Sequence, residues 1–152
     1  MAPHNIHATA IAVDKAGLLF VGPSGIGKSA LAFSCLAAAR RSGWAASLVA
    51  DDQVFISRRG EEVIAARPAS IAGLLEIRGS GIARVPSVSE AVLRLAVLIV
   101  DPRTADRQPP ANEIYDLDGI GTLPQIRLMN DHREPLAAIA ALRPDLGIPT
   151  TL

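Results

Sequence analysis

Eight residues, Gly22-Pro23-Ser24-Gly25-Ile26-Gly27-Lys28-Ser29, stand between a fully apolar run, Leu18–Val21, and an alanine-rich stretch, Ser29–Arg41. They fit the pattern G-x-x-x-x-G-K-[ST] at every fixed position. An apolar strand that runs through a glycine turn straight into a helix points to an α/β architecture. Glycines let successive backbone N–H groups turn inward around phosphate oxygens. The helix that begins there adds unpaired N–H groups and its positive dipole end. Lys28 can reach β- and γ-phosphates, and the Ser29 hydroxyl can ligate Mg²⁺. The bland alternative is a glycine-rich turn with an incidental lysine. The flanking strand and helix argue against it. A phosphate loop (P-loop) alone does not say what is done with the phosphate, because ATPases, GTPases, kinases and nucleotide-sensing switches all use one.

Composition narrows the classes. The chain has 152 residues, about one domain's worth, and its 49% hydrophobic fraction suffices for a core. That fraction, with 15 basic residues balanced by 15 acidic ones, excludes a disordered chain. The same balance argues against a protein that lives on nucleic acid or an anionic membrane. Aromatics at 3% remove the stacking platforms of single-strand binders. Cys35 is the one cysteine, so no intrachain disulfide can form. It sits mid-helix among alanines and reads as a small core residue. Met1–Asn5 shows no basic stretch leading into an apolar core, and Ala91–Val100 is interrupted by Arg94 and too short to span a bilayer. The expected compartment is the cytoplasm.

Along the chain, Ile6–Val13 reads as a strand and Asp14-Lys15-Ala16-Gly17 as a turn, with Gly17 available for positive φ. A hairpin with a four-residue loop to Leu18–Val21 follows. Ser29–Arg41 is a helix closed near Gly43. Ala45–Ala50 is a buried strand ending at Asp51-Asp52. Gln53–Ser57 and Glu62–Arg67 form a second hairpin around Arg58-Arg59-Gly60. The expectations continue with a short helix over Ala69–Glu76, a strand over Val92–Val100 whose length leaves a helix open, and a loop over Asp101–Asn112. The chain closes with a strand over Ile126–Met129, a helix over Pro135–Arg143 and a tail, Pro144–Leu152.

Several side chains surround the loop. If Val13 pairs with Leu18, Ala10 pairs with Val21, and the extended ladder sets His7 opposite Ser24. An imidazole there can hydrogen-bond a phosphate or pass a proton; on spacing alone an exposed strand histidine stays open. Asp51-Asp52 occupies the place where phosphate-loop proteins keep an acidic element that holds Mg²⁺ or activates a nucleophile. Neighbours on a strand face opposite sides, so one of the two is expected to aim at the phosphates. Glu76, within Leu75-Glu76-Ile77-Arg78-Gly79-Ser80-Gly81-Ile82, is a candidate metal ligand, against an ordinary surface Glu–Arg pair. Arg133, just before the last helix, can stabilise charge on a transferring phosphoryl group, against a plain surface arginine.

Taken together, these segments resemble the catalytic domain of HPr kinase/phosphorylase, which acts on a serine of the phosphocarrier protein HPr. His7 precedes Gly-Pro-Ser-Gly-Ile-Gly-Lys-Ser at the family's distance. Leu48-Val49-Ala50-Asp51-Asp52 resembles its acidic strand end, and Leu75–Ile82 its signature, with Ser80 where Leu is usual. Asp131-His132-Arg133-Glu134 stands where the family usually reads Pro-Gly-Arg-Asn. The match runs over about residues 5–143 and implies the short form, without the N-terminal domain and with little chain beyond Arg143.

The resemblance implies that Gly22, Pro23, Ser24, Gly25, Ile26, Gly27, Lys28 and Ser29 bind ATP. It implies that Ser29 and Glu76 ligate Mg²⁺, and that Asp52 is the general base and, in reverse, the acid. His7, Lys28 and Arg133 would be the remaining catalytic groups, and Leu75–Arg84 a segment needed in both directions. The expected fold is a single α/β phosphate-loop domain over residues 1–152, with a mixed sheet and a core like that of phosphoenolpyruvate carboxykinases. The expected activity is ATP-dependent serine phosphorylation of HPr, with phosphoserine-HPr dephosphorylation as a second direction, in control of the phosphotransferase system and carbon metabolism. A homo-oligomer, hexameric by resemblance, is expected. A small-metabolite kinase on the same fold and a non-catalytic ATP sensor remain the alternatives.

Overall fold

The computed structural model describes residues 4–149. Residues 150–152 of the expected tail lie outside them. The chain opens with β1 (His4–Ile6), β2 (Thr9–Val13) and β3 (Ala16–Val21), followed by α1 (Lys28–Arg41) and β4 (Ala46–Ala50). Next come β5 (Val54–Arg59), β6 (Glu62–Ala66), β7 (Leu74–Ile77), β8 (Gly81–Arg84) and β9 (Glu90–Val100). It closes with β10 (Ile114–Asp116), β11 (Thr122–Met129) and α2 (Pro135–Leu142).

Nine strands form one mixed sheet whose main path is β1-β5-β6-β9-β3-β2-β4. The long β9 organises it. Its residues 93–98 run parallel to β3. Its first three residues pair antiparallel with β6, and its last five pair parallel with β11. Because β6 and β11 use different residues of β9, they follow one another along one edge while β3 takes the other. β7 and β8 form a separate hairpin.

β3 is buried at all six residues, as a central strand covered on both faces must be. Alternation divides its side chains: Leu18 and Phe20 join α1, α2 and Cys35 in one apolar cluster, whereas Leu19 and Val21 join Val54, Ile56 and Ala65 in another. α1 buries Leu31, Ala32, Cys35, Leu36 and Ala39 against the first. That lock, fixed by small and branched side chains packed at crystal-like density, sets where the start of α1 meets the end of β3.

Several expectations need correction. The first hairpin has a two-residue loop, because Val13 pairs with Ala16 and Ala10 with Leu19. The ladder is thus two residues out from the expected one, and His7 is not set opposite Ser24. Asp14 takes the positive φ, at 53°. Gly17 lies inside β3, where a Cβ would come within 2.3 Å of the Val92 carbonyl oxygen. Its glycine serves close approach to β9 at a register shift, not a turn. The expected Ile6–Val13 strand is broken into β1 and β2, which pair with different strands. The expected helix over Ala69–Glu76 is a 3-10 turn at Ala69–Ile71 followed by β7. Gly73, at φ 74°, ends the turn, and the residues after it alternate cleft-facing Leu74, buried Leu75 and exposed Glu76 with a period of two. β8 and β10 were not anticipated. At four and three residues they carry too little periodicity to read.

The loop over Asp101–Asn112, the strand ending at Asp51, the second hairpin and both helices stand as expected, with ends shifted by a residue or two.

Candidate active site

The site begins where β3 stops. Gly22 turns the chain at φ 144°, in a position where a Cβ would sit 3.1 Å from the Ile99 carbonyl oxygen. Gly27, at φ 119°, is the residue before α1, and no side chain caps the helix. The first-turn N–H groups therefore face the cleft without an internal acceptor. Asn130, at the end of β11, donates from Nδ2 to the Ile26 carbonyl at 3.0 Å and braces the loop. Arg78 braces it from the other side, Nη1 donating to the Gly25 carbonyl at 2.9 Å. The Glu–Arg surface pair that composition suggests does not form. Arg78 is committed to the loop.

Lys28 is nearly buried, and its Nζ donates to the carbonyls of Gly22 and Pro23 at 2.9 and 3.0 Å. Burial holds its pKa below the ordinary lysine value, opposed by the charges of Asp52 and Asp51.

The two aspartates have different surroundings. Asp51 is buried, and both its oxygens accept hydrogen bonds. Its Oδ1 accepts the Thr9 hydroxyl at 2.8 Å and the Ser29 hydroxyl at 2.7 Å. Its Oδ2 accepts the Glu76 backbone N–H at 2.9 Å. One carboxylate thus gathers β2, α1 and β7. Asp52 lies past the end of β4 at φ 71°, so strand alternation no longer governs it, and both aspartates line the same cleft. Its carboxylate is exposed, with Oδ1 3.1 Å from His7 Nδ1. His7 reaches the cleft through this pair rather than through the β2–β3 ladder.

The cleft is about 530 Å³ and takes in His7, Ser24, Lys28, Ser29, both aspartates, Glu76 and Arg78. His7, Lys28, Ser29, Asp52 and Glu76, drawn from four separate segments, therefore line one cleft. Arg133 does not line it; its side chain is exposed, three residues past the Asn130 that touches the loop. Asp51's part as organiser and Arg78's as loop brace were missed. The only sequence signal for either was proximity to a residue singled out for another reason.

For a divalent cation, the nearby donors are the Ser29 hydroxyl and the Glu76 carboxylate, all oxygen and suited to a hard ion. Among the described residues no group of three or more His, Cys, Asp or Glu side chains forms a metal cage. One or two protein oxygens supplemented by phosphate oxygens is the mode Mg²⁺ prefers, so the residues present fit it. No helix among the described residues is long and apolar enough to cross a membrane.

The family model described as HPr Serine kinase C-terminal domain matches residues 1–92, which include every predicted site residue except Arg133. The chain is 38% identical over 89 residues to the HPr kinase/phosphorylase of Clostridium tetani, covering 58% of this chain and 27% of the relative. It is 31% identical over 135 residues to that of Streptococcus thermophilus, covering 82% of this chain and 41% of the relative. It spans between a quarter and about two-fifths of the length of these curated relatives. Among solved structures, the Hpr(Ser) kinase/phosphatase from Coxiella burnetii superimposes with a TM-score of 0.75 at 26% identity, over 93% of this chain and 95% of that one. By its sequence over the glycine loop, the acidic strand end and the Glu76 segment, and by its mixed α/β fold, this chain belongs to the HPr Serine kinase C-terminal domain family.

Proposed function

We propose that this chain is an ATP-dependent serine kinase acting on the phosphocarrier protein HPr. The observation that carries this is the exposed carboxylate of Asp52, which lines the same cleft as the glycine loop and Lys28, with His7 Nδ1 3.1 Å from one of its oxygens. A nucleotide sensor needs the loop but has no use for a base beside it.

The loop Gly22–Ser29 serves as a P-loop, in a domain spanning residues 1–152 whose core is of the phosphoenolpyruvate carboxykinase kind. Its amides and Lys28 hold the β- and γ-phosphates of ATP. Lys28 leaves the Gly22 and Pro23 carbonyls to do so. Ser29 and Glu76 hold Mg²⁺, which when bound neutralises charge on the phosphates. Asp52 accepts the proton of the serine hydroxyl as its oxygen bonds to the γ-phosphorus. The bond from that phosphorus to the bridging oxygen breaks, and ADP leaves with the electron pair. His7 keeps the Asp52 carboxylate oriented. Most of the acceleration comes from positioning and fixed charge. Arg133 contributes only if the segment after Asn130 moves toward the cleft. In reverse, Asp52 returns the proton while inorganic phosphate takes the phosphoryl group. The activity belongs to the cytoplasm and to control of the phosphotransferase system, in a homo-oligomer.

Incubation with labelled ATP and purified HPr, followed by mapping of the labelled residue, tests this. Phosphoserine on HPr is expected. ATP turnover without label on HPr points instead to a small-metabolite acceptor, and binding without turnover points to a sensor.

A further inference from the structure

Part of the cleft has no task in the chemistry above. Beyond the phosphate-binding end, its lining turns apolar: Phe33 from α1, Ile71 from the 3-10 turn, and Leu74, Ile77 and Ile82 from the β7–β8 hairpin. Phe33 is 39% exposed and Ile82 70% exposed, both facing the same space. The chain is sparing with aromatics, and its other two phenylalanines, Phe20 and Phe55, are buried and half-buried. An exposed aromatic flanked by four aliphatic side chains in one cleft is a surface that a ligand covers.

The spacing identifies the ligand. Phe33 is four residues past Ser29, on the same helix face and about 6 Å further along the axis. On β7, Leu74 precedes Glu76 by two residues, on the same strand face and about 7 Å away. The Ser29 hydroxyl and the Glu76 backbone N–H each bond one oxygen of the Asp51 carboxylate, which ties the two walls together. Both walls therefore pass from an oxygen donor to an apolar side chain within about 7 Å, a step that the α-phosphate and ribose of a nucleotide would occupy. Asp52 and His7, which mark the acceptor's approach, come from the end of β4 and the β1–β2 junction instead.

We propose that Phe33, with Leu74 in the same cleft, forms the platform on which the nucleobase of the bound nucleotide stacks; this rests on the nucleotide-binding function proposed above. Flat, apolar on both faces and tethered to the phosphates through the ribose, a nucleobase fits such a slot without needing a charged partner.

Calorimetric titration of the whole chain with MgATP and, separately, with magnesium tripolyphosphate tests it. Phe33→Ala is expected to weaken MgATP about tenfold, the loss of one stacked base, and to leave tripolyphosphate affinity unchanged. Phe33→Trp restores the MgATP affinity. Alanine is a good helix former at this half-open position, so α1 persists. Equal MgATP affinity in wild type and Phe33→Ala overturns the platform while leaving the phosphate site standing. So does a loss confined to the KM for the protein acceptor, which would assign the apolar slot to that acceptor. Equal weakening of tripolyphosphate also overturns it, since the effect would then lie in the loop. A wild-type chain that binds neither ligand overturns the platform and the nucleotide-binding function together.

Discussion

The Ser29 hydroxyl donates to Asp51 Oδ1 at 2.7 Å, and that bond joins the first turn of α1 to the end of β4. Thr9 shares the same oxygen, and the Glu76 N–H takes the other. Asp51→Ala would leave the Thr9 hydroxyl buried and unpartnered and release two walls of the cleft. A loss of about 2–4 kcal/mol is expected, from buried groups at roughly 1–3 kcal/mol each. A denaturant midpoint shift measures it. An unaltered midpoint would show that Asp51 organises nothing.

Asp52→Asn keeps a residue that tolerates the left-handed backbone at φ 71° and removes the proton acceptor. MgATP affinity should stay within about twofold of wild type, because only the acceptor side is altered. Serine phosphorylation should fall by roughly 10²–10⁴, the usual worth of a general base. Phosphorylation of HPr at the wild-type rate would remove Asp52 from the mechanism.

Glu76→Gln leaves the backbone N–H bond to Asp51 intact, because only the side chain changes. The architecture should survive while the Mg²⁺ concentration for half-maximal activity rises about tenfold or more, as one charged oxygen ligand is lost. A metal titration that superimposes on wild type would exclude Glu76 as a ligand.

Gly17→Ala is expected to destabilise the fold by about 1–3 kcal/mol, the cost of overpacking. Its Cβ would lie 2.3 Å from the Val92 carbonyl oxygen, and only a shift of β9 against β3 relieves that. Thermal unfolding reads the loss, and a Tm equal to wild type would mean the strands part without cost.

Burial pushes the Cys35 thiol up to about 12. The neutral thiol is thus favoured by folding. Its contribution is fully present below the unfolded cysteine value, about 8.5, and is lost as pH rises through the folded value. At pH 8 the native chain should resist iodoacetamide, and the unfolded chain should react at the rate of a free cysteine. Rapid native labelling would contradict the packing of α1 on β3.

The amino-acid order alone carried the glycine loop, the strand before it, the helix after it and the acidic end of β4. Each is set by neighbours within a few residues, through φ preferences, apolar runs and helix-start chemistry, which act without the rest of the chain. It also carried the family, through the resemblance of the glycine loop, the acidic strand end and the Glu76 segment taken in order. Tertiary contact decided what local rules cannot. A two-residue change in the β2–β3 ladder took His7 from the position opposite Ser24, yet the turn at Asp52 set its carboxylate 3.1 Å from His7 Nδ1. The division of labour between Asp51 and Asp52 came from which one Thr9, Ser29 and Glu76 surround, residues 42, 22 and 25 positions away. Arg78 went to the Gly25 carbonyl, 53 positions distant, and Arg133 stayed outside the cleft. Such pairings depend on register, on close backbone approach at Gly17 and on how α1 seats against the sheet. Those are sums over the whole core, and no window of sequence contains them.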